Sequence, residues 1–596
     1  MKFEFLNVNC LQPQGWLKKQ LELQAKGLHG NLDKVWPDVK DSKWIGGDRE
    51  GWERMPYFLD GFIPLAYLLK DDDMISRAKK YVDYILKGQL EDGCFYPNGD
   101  KNNFLPDIWS LFLLLKVLVV YYECTLDDRI EQAVYDALKF LDKYIDAYTP
   151  YNWAAARWFE CLISIRWLYE RRRERWLLDL ADRLKCFGFD YKEIIPQWKK
   201  IKTTWALDTH VVNVAMALKS EALYCELTGK KRKGLAEKML QTLFKYHGTA
   251  YGHFTGDECL SGNSPVHGSE LCGIVEAMYS YEWLLAITGD AKWGDYLENL
   301  AFNGLPATVS EDMWTHQYDQ QVNQIACTVF EKPIFRTNNG EANLFGLEPN
   351  FGCCTANFGQ GWPKFALSAY FKEDDALVIS SPLPMSVNFD GNLVQINSEY
   401  PFRKGYTLTA EKDVTVKIRI PSWAEVSASV PFTMEHGFMR IKVRGGESVG
   451  VTFDMRPVLM DRVGGRKCLK YGALLFALPI ESEKTMREYE KNGVERKFPY
   501  CDYSFTPKSA WNYAFKSENF VVEELPFDNA FSRENPPLKI KGEFYPVKWN
   551  FEKGYDLVVS TDAGKKVVGT AEELSMQPYG TTYLRITEMR KIDNEK

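Results

Sequence analysis

From about Tyr57 onward the sequence alternates two kinds of apolar segment, and this alternation narrows the folds open to it more than any other feature. YFLDGFIPLAYLL is followed by ISRAKKYVDYILKGQ, FLPDIWSLFLLLKVLVVYY by RIEQAVYDALKFLDKYI, and YNWAAARWFECLISIRWLYE by RWLLDLADRLKCF. These first members begin near residues 57, 104 and 151, a period of about 47. Further ones begin near Trp205, near Gly268 and after Cys354. Each first member is apolar nearly all round and belongs in the interior. Each second shows the 3.6-residue stripe of a helix with one wet face. A ring of inner helices inside a ring of outer ones satisfies both demands, and six hairpins close it into an (α/α)6 toroid. An open solenoid of helix pairs would give the same local pattern, so closure is an expectation.

A chain of 596 residues exceeds a single core, so two or three domains are expected. After about Lys372 the pattern becomes that of strands. DALVISSPLPMSVNF and LVQINSEY flank Asp390-Gly391, a hairpin turn signal; Thr415 to Ile420 alternates polar and apolar residues; GALLFALP near residue 475 reads as a buried strand. The expected class is multidomain α + β. Residues 1–372 form the toroid, which carries the chemistry. Residues 373–480 form a β-sandwich completed by a last strand near 568–596, and residues 481–567 a second, inserted β-sandwich.

Charge narrows the partners. Lys and Arg number 74 against 81 Asp and Glu, a net charge of −7, so no basic field attracts nucleic acid or anionic lipid. The most apolar stretch, Ile108 to Tyr122, is short of a membrane span and is interrupted by Lys116. The amino terminus lacks the pattern of a secretory signal, and thirteen scattered cysteines, an odd number, fit a reducing compartment. A cytoplasmic location is expected, with a small neutral or polar substrate, no nucleic-acid or membrane partner, and a homodimer left open. No phosphate loop, dinucleotide fingerprint, HExxH helix or GxSxG elbow is present.

Unusual residues concentrate in the long connections at the starts of the later inner helices: GDE at 256–258, GSELC at 268–272 and the vicinal pair Cys353-Cys354. Loops on a rigid scaffold commonly hold the chemistry. In a closed toroid Glu270, Cys272, Cys353 and Cys354 face one mouth, and zinc takes thiolate sulfur and carboxylate oxygen in sets of four. The spacing is no CxxC pair, however, and free cysteines also serve as small buried hydrophobes.

The Glu-x-Cys at 270–272 and the Cys-Cys-x-x-Asn at 353–357, with NGLPAT and RIPSW at 419–423, resemble the DUF1680, or glycoside hydrolase family 127, group, whose members include β-L-arabinofuranosidases. The resemblance spans essentially the whole chain. It implies a zinc ion held by Glu270, Cys272, Cys353 and Cys354, with Cys353 as nucleophile and Glu258 as general acid/base of a retaining exo-glycosidase. Asp257 competes with Glu258 for the acid role, since only one of two adjacent residues in an extended segment faces the pocket. By the same resemblance His210 contacts sugar. Tyr318, Asn323, Asn357 and Trp362 supply hydrogen-bonding and stacking groups, although core packing accounts for the aromatics equally well.

The chain also departs from that group. The connection from Glu258 to Glu270 is shorter, and the third inner helix offers Asn152, Arg157 and Glu160 in place of two histidines. Arg157 either marks a carboxylated sugar or pairs with a nearby acid. Two rival readings stand beside the glycosidase: a toroidal epimerase or polysaccharide lyase, which needs no cysteines, and a carbohydrate-binding protein with structural zinc.

Overall fold

A computed structural model describes residues 1–104 and 107–592. Leu105 and Pro106, at the expected start of the second inner helix, and residues 593–596, at the end of the expected last strand, lie outside the described residues.

The helical half is built on hairpins. Their inner members are α2 (Arg54–Leu69), α4 (Trp109–Thr125), α6 (Cys161–Arg172), the broken helix α8 (Val211–Ala217) and α9 (Ser220–Thr228), α11 (Leu271–Thr288), and the broken helix α13 (Gly352–Asn357) and α14 (Gly361–Leu367). Outside them lie α3 (Asp72–Lys87), α5 (Arg129–Ala147), α7 (Arg175–Phe187), α10 (Leu235–His247) and α12 (Lys292–Asn299). The ring closes: α2 packs on α4, α4 on α6, α6 on α9, α8 on α11, α11 on α14, and α14 back on α2. The sixth outer place, which the repeat pattern leaves empty, is taken by α1 (Gly15–Lys26), which packs against α2 and α14.

Burial follows the two sequence patterns. Every residue of α11 from Leu271 to Ile287 is buried, whereas α3 buries only Met74, Ala78, Val82 and Ile85, one stripe at helical spacing. The Asp71 side chain starts α3 by accepting from the Met74 N–H at 2.9 Å, a cap contributing about 1 kcal/mol. Lys116, which interrupts the apolar run of α4, is fully buried and meets Asp60 at 2.9 Å, with Lys364 on the same carboxylate at 2.6 Å. Such buried charges persist only when paired. Among the described residues no helix is long and apolar enough to cross a membrane.

Two six-stranded sheets follow the toroid. In the first, Val414–Arg419 runs parallel to Ala376–Ile379 and antiparallel to Phe438–Val443. In the second, Met385–Phe389 and Asn392–Ser398 form the hairpin signalled by Asp390-Gly391, whose φ values of +50° and +75° are those a tight hairpin turn requires. The amino terminus joins both sheets, Glu4–Phe5 at the edge of the first and Leu11–Pro13 at the edge of the second. A nine-stranded sheet, from Pro457–Arg462 to Met589–Arg590, completes the chain. It braces the toroid's longest connection where Gln324 bridges to Arg585, and a separate two-stranded sheet, Ser482–Arg487 with Asp502–Pro507, meets the same connection where Cys327 bridges to Phe505.

Candidate active site

Local chain geometry brings two distant stretches together. Ser269–Glu270 is a two-residue strand paired with Asp319–Gln320, and the chain turns at Glu270 directly into α11, which carries Cys272 in its first turn. Gly256 bridges to Ser269 on one side, and Cys259 to His210 on the other, so the 256–260 segment lies between them. A bond from the Val211 N–H to the Glu258 carbonyl at 2.7 Å fixes its register. α13 delivers Cys353 and Cys354 to the same place.

One ligand atom from each of Glu270, Cys272, Cys353 and Cys354 lies within 4.8 Å of the others. Tetrahedral ligands about 2.3 Å from a zinc ion stand roughly 3.8 Å apart, so this set is near the required size. Cys354, Cys272 and Glu270 are buried, while Cys353 is partly open. Glu270 turns Oε1 toward the thiols, 3.9 Å from the Cys354 sulfur, within a buried set of soft and anionic donors of the kind that holds zinc. The donor set therefore fits a metal ion.

Hydrogen bonds from the Cys272 and Cys354 thiols hold the Cys353 thiol well below the ordinary thiol range, helped by the Arg54 charge and opposed by burial. Burial first, then the charges of Glu258 and Cys353, push the Glu270 carboxyl well above the carboxylate range. Arg54 is absent from the sequence-derived site; nothing local marks an arginine at the start of α2 as a neighbour of Cys353.

Glu258 faces the cluster and Asp257 does not. Asp257 accepts from the Gly268 N–H at 2.6 Å and the Arg336 N–H at 2.8 Å, which occupies both its oxygens with backbone. Glu258 Oε1 accepts from the Tyr318 hydroxyl at 2.5 Å, while its Oε2 meets His210 Nε2 at 3.1 Å and Trp205 Nε1 at 3.2 Å. Tyr318 also lies 3.2 Å from the Cys353 sulfur and 3.1 Å from Glu270 Oε1. Trp153 and Trp205 flank the His210 ring at 5.3 and 5.7 Å. Trp205 is 46% exposed and Phe351 51%, an aromatic rim that the sequence pattern did not single out.

The remaining expected residues divide. Arg157 is buried between the Trp109 and Trp153 rings, 4.5 Å from each, and bonds to Asn213 and Tyr57. Its charge faces Glu53 at 3.6 Å, the ion-pair alternative. Asn152 is exposed, with a φ of +48°. Two asparagines expected as sugar ligands have their side-chain groups engaged within the protein. Asn323 bonds the backbone of Thr587 and Glu588, fastening the long connection to the last strands. Asn357 donates to Glu276 at 3.0 Å beneath the cysteines. Trp362 is buried against Trp16 and Phe531.

A closed helical toroid that joins a carboxylate and a thiol through one phenol in its mouth holds the acid and nucleophile types that glycoside hydrolysis can use. The chain belongs to glycoside hydrolase family 127: residues 43–367 match the model of the β-L-arabinofuranosidase GH127 catalytic domain, more than half the sequence. A solved GH127 β-L-arabinofuranosidase from Geobacillus stearothermophilus T6 superposes with a TM-score of 0.66 at 16% identity, covering 98% of this chain and 99% of that one. A GH127 β-arabinofuranosidase (TM-score 0.65, 14% identity) and another glycoside hydrolase (0.68, 13%) each cover 99% of this chain and 98% of their own. No curated protein matches.

Proposed function

We propose that the chain is a retaining exo-glycosidase releasing L-arabinofuranose or a related sugar from short oligosaccharides or glycosides, with Cys353 as nucleophile and Glu258 as general acid/base. The observation that carries this reading is the Tyr318 hydroxyl, within hydrogen-bond reach of both residues at the edge of the thiol cluster. Glu270, Cys272, Cys353 and Cys354 would hold zinc, whose charge keeps thiols ionised.

Each chain residue then has a task. Glu258 gives its proton to the leaving glycosidic oxygen as Cys353 Sγ forms a bond to the anomeric carbon. Glu258, now ionised, takes a proton from water, and the water oxygen displaces the sulfur. Two displacements at one carbon retain its configuration. His210 is placed to bond a sugar hydroxyl, and Trp153 and Trp205 offer apolar faces for the ring. All thirteen cysteines are free, which supports a reducing, cytoplasmic setting.

The closed four-ligand set also favours a second reading, a carbohydrate-binding protein with structural metal, since catalytic ions usually keep an open position. A panel of aryl glycosides including β-L-arabinofuranosides, run with wild type, Glu258→Gln and Cys353→Ser, separates the two. The glycosidase reading expects turnover that both substitutions abolish and a mechanism-based inhibitor adduct on Cys353 in the intact mass. Turnover undiminished in Cys353→Ser would remove the nucleophile assignment.

A further inference from the structure

A second set of ligand atoms adjoins the thiol cluster. His210 Nε2 lies 3.1 Å from Glu258 Oε2 and 4.0 Å from Glu270 Oε2, and one ligand atom from each of the three residues lies within 4.8 Å of the others. All three are buried, at 4%, 5% and 0% exposure. The two oxygens of Glu270 face different neighbours. Oε1 lies 3.1 Å from the Tyr318 hydroxyl and 3.9 Å from the Cys354 sulfur. Oε2 faces His210 and has no hydrogen-bond partner. A carboxylate divided in this way is placed to bridge two cations.

Charge balance points the same way. With one divalent ion, three thiolates and Glu270 would leave two negative charges, of which the neighbouring Arg54 offsets one. A second cation relieves this excess in a buried site, where charge is poorly screened. Imidazole nitrogen and carboxylate oxygen suit zinc, and three protein ligands hold it less tightly than a completed thiolate set.

We propose that His210, Glu258 and Glu270 form a second, weaker zinc site, bridged to the cysteine cluster by Glu270, whose filling switches the enzyme off by occupying the carboxylate of Glu258. The inhibitory half rests on the acid/base reading above.

The test uses the full-length holoenzyme, dialysed to one bound zinc and then titrated with zinc chloride. Bound metal is measured after equilibrium dialysis, and turnover of an aryl glycoside is followed on the same samples. Bound zinc should rise from about one to about two ions per chain, and turnover should fall at least about tenfold with the same midpoint. Glu258→Gln and His210→Ala should each keep the first ion, which shows that they fold, and lose the second. A wild type that stops at one ion, or variants that still bind two with an unchanged midpoint, overturns the site. If two ions bind but Glu258→Gln turns over normally, the acid/base reading and the inhibitory half fall together. If one ion binds and turnover still needs Glu258, only the second site falls.

Discussion

The Tyr318 hydroxyl lies 2.5 Å from Oε1 of Glu258, on the side of that carboxylate facing the Cys353 sulfur. The phenol has one proton to donate, and Glu258 lies nearer to it than Glu270 at 3.1 Å or the Cys353 sulfur at 3.2 Å. Tyr318→Phe should therefore lower kcat by about 10- to 100-fold, the worth of a hydrogen bond to a charged group, and move the pH profile. Bound metal should stay unchanged. Rates across pH with metal analysis check this; an unmoved profile would make Tyr318 a packing residue.

Glu258 and Asp257 should respond differently. Glu258→Gln should cost about 10²- to 10⁴-fold on a substrate with a poor leaving group, the usual contribution of general acid/base catalysis. Asp257→Asn should mainly lower the melting temperature, because its carboxylate ties together the backbone at Gly268 and Arg336. A kinetic loss in Asp257→Asn equal to that in Glu258→Gln would reverse the assignment.

Chelation should abolish turnover, and added zinc should restore it. Cys272→Ala and Cys354→Ala, each removing one buried thiol, should leave protein with less than the wild-type metal content and a lower melting temperature. Elemental analysis and thermal denaturation read both effects. Full metal content in either variant would exclude that sulfur as a ligand.

Arg157→Ala should destabilise the protein by about 1–3 kcal/mol, since it leaves the buried Asn213 Oδ1 and Tyr57 hydroxyl without their guanidinium partner and takes from Glu53 one of its two cations, Arg54 remaining at 3.5 Å. Glu53→Gln, alone and with Arg157→Ala, completes the cycle for this pair. Urea denaturation of the single and double variants measures the coupling. Full activity on a neutral arabinofuranoside without Arg157, at low temperature, would show that this residue supports the site without selecting the sugar.

Acid should destabilise the protein through buried histidine. His253 is fully buried without a hydrogen-bond partner on either nitrogen, and burial lowers its pKa to about 3. The folded form stays neutral where the unfolded form takes a proton, so stability falls as pH drops from about 6.5 toward 3. At pH 5 this amounts to about 2 kcal/mol. His253→Phe should flatten that part of the stability curve in urea titrations between pH 7 and 5. An unchanged slope would locate the acid sensitivity elsewhere.

Much of the architecture is legible in the residues. The all-apolar faces of α4 and α11 and the stripes of α3 and α5 follow from side-chain periodicity alone, which is a local property. So does the Asp390-Gly391 hairpin, because only a few residue types accept the backbone angles of its turn. The Glu-x-Cys and vicinal-cysteine pattern marks a group that could hold a metal, since few residue types bind metals, and the resemblance to family 127 is what made it a ligand set.

Partners across the fold are another matter. Whether six hairpins close, and that α1 supplies the sixth outer helix, depends on how distant helices pack. Arg54 beside Cys353, Asn323 bonded to Thr587 and Glu588, and the choice of Glu258 over Asp257 all depend on which atoms lie opposite once hundreds of residues are in place. Residue type and spacing determined the buried faces, the turn and the candidate ligands, because those follow from each segment's own chemistry. Only the tertiary structure decided which polar groups remain open to a substrate, because a hydrogen bond is allotted by distance in space.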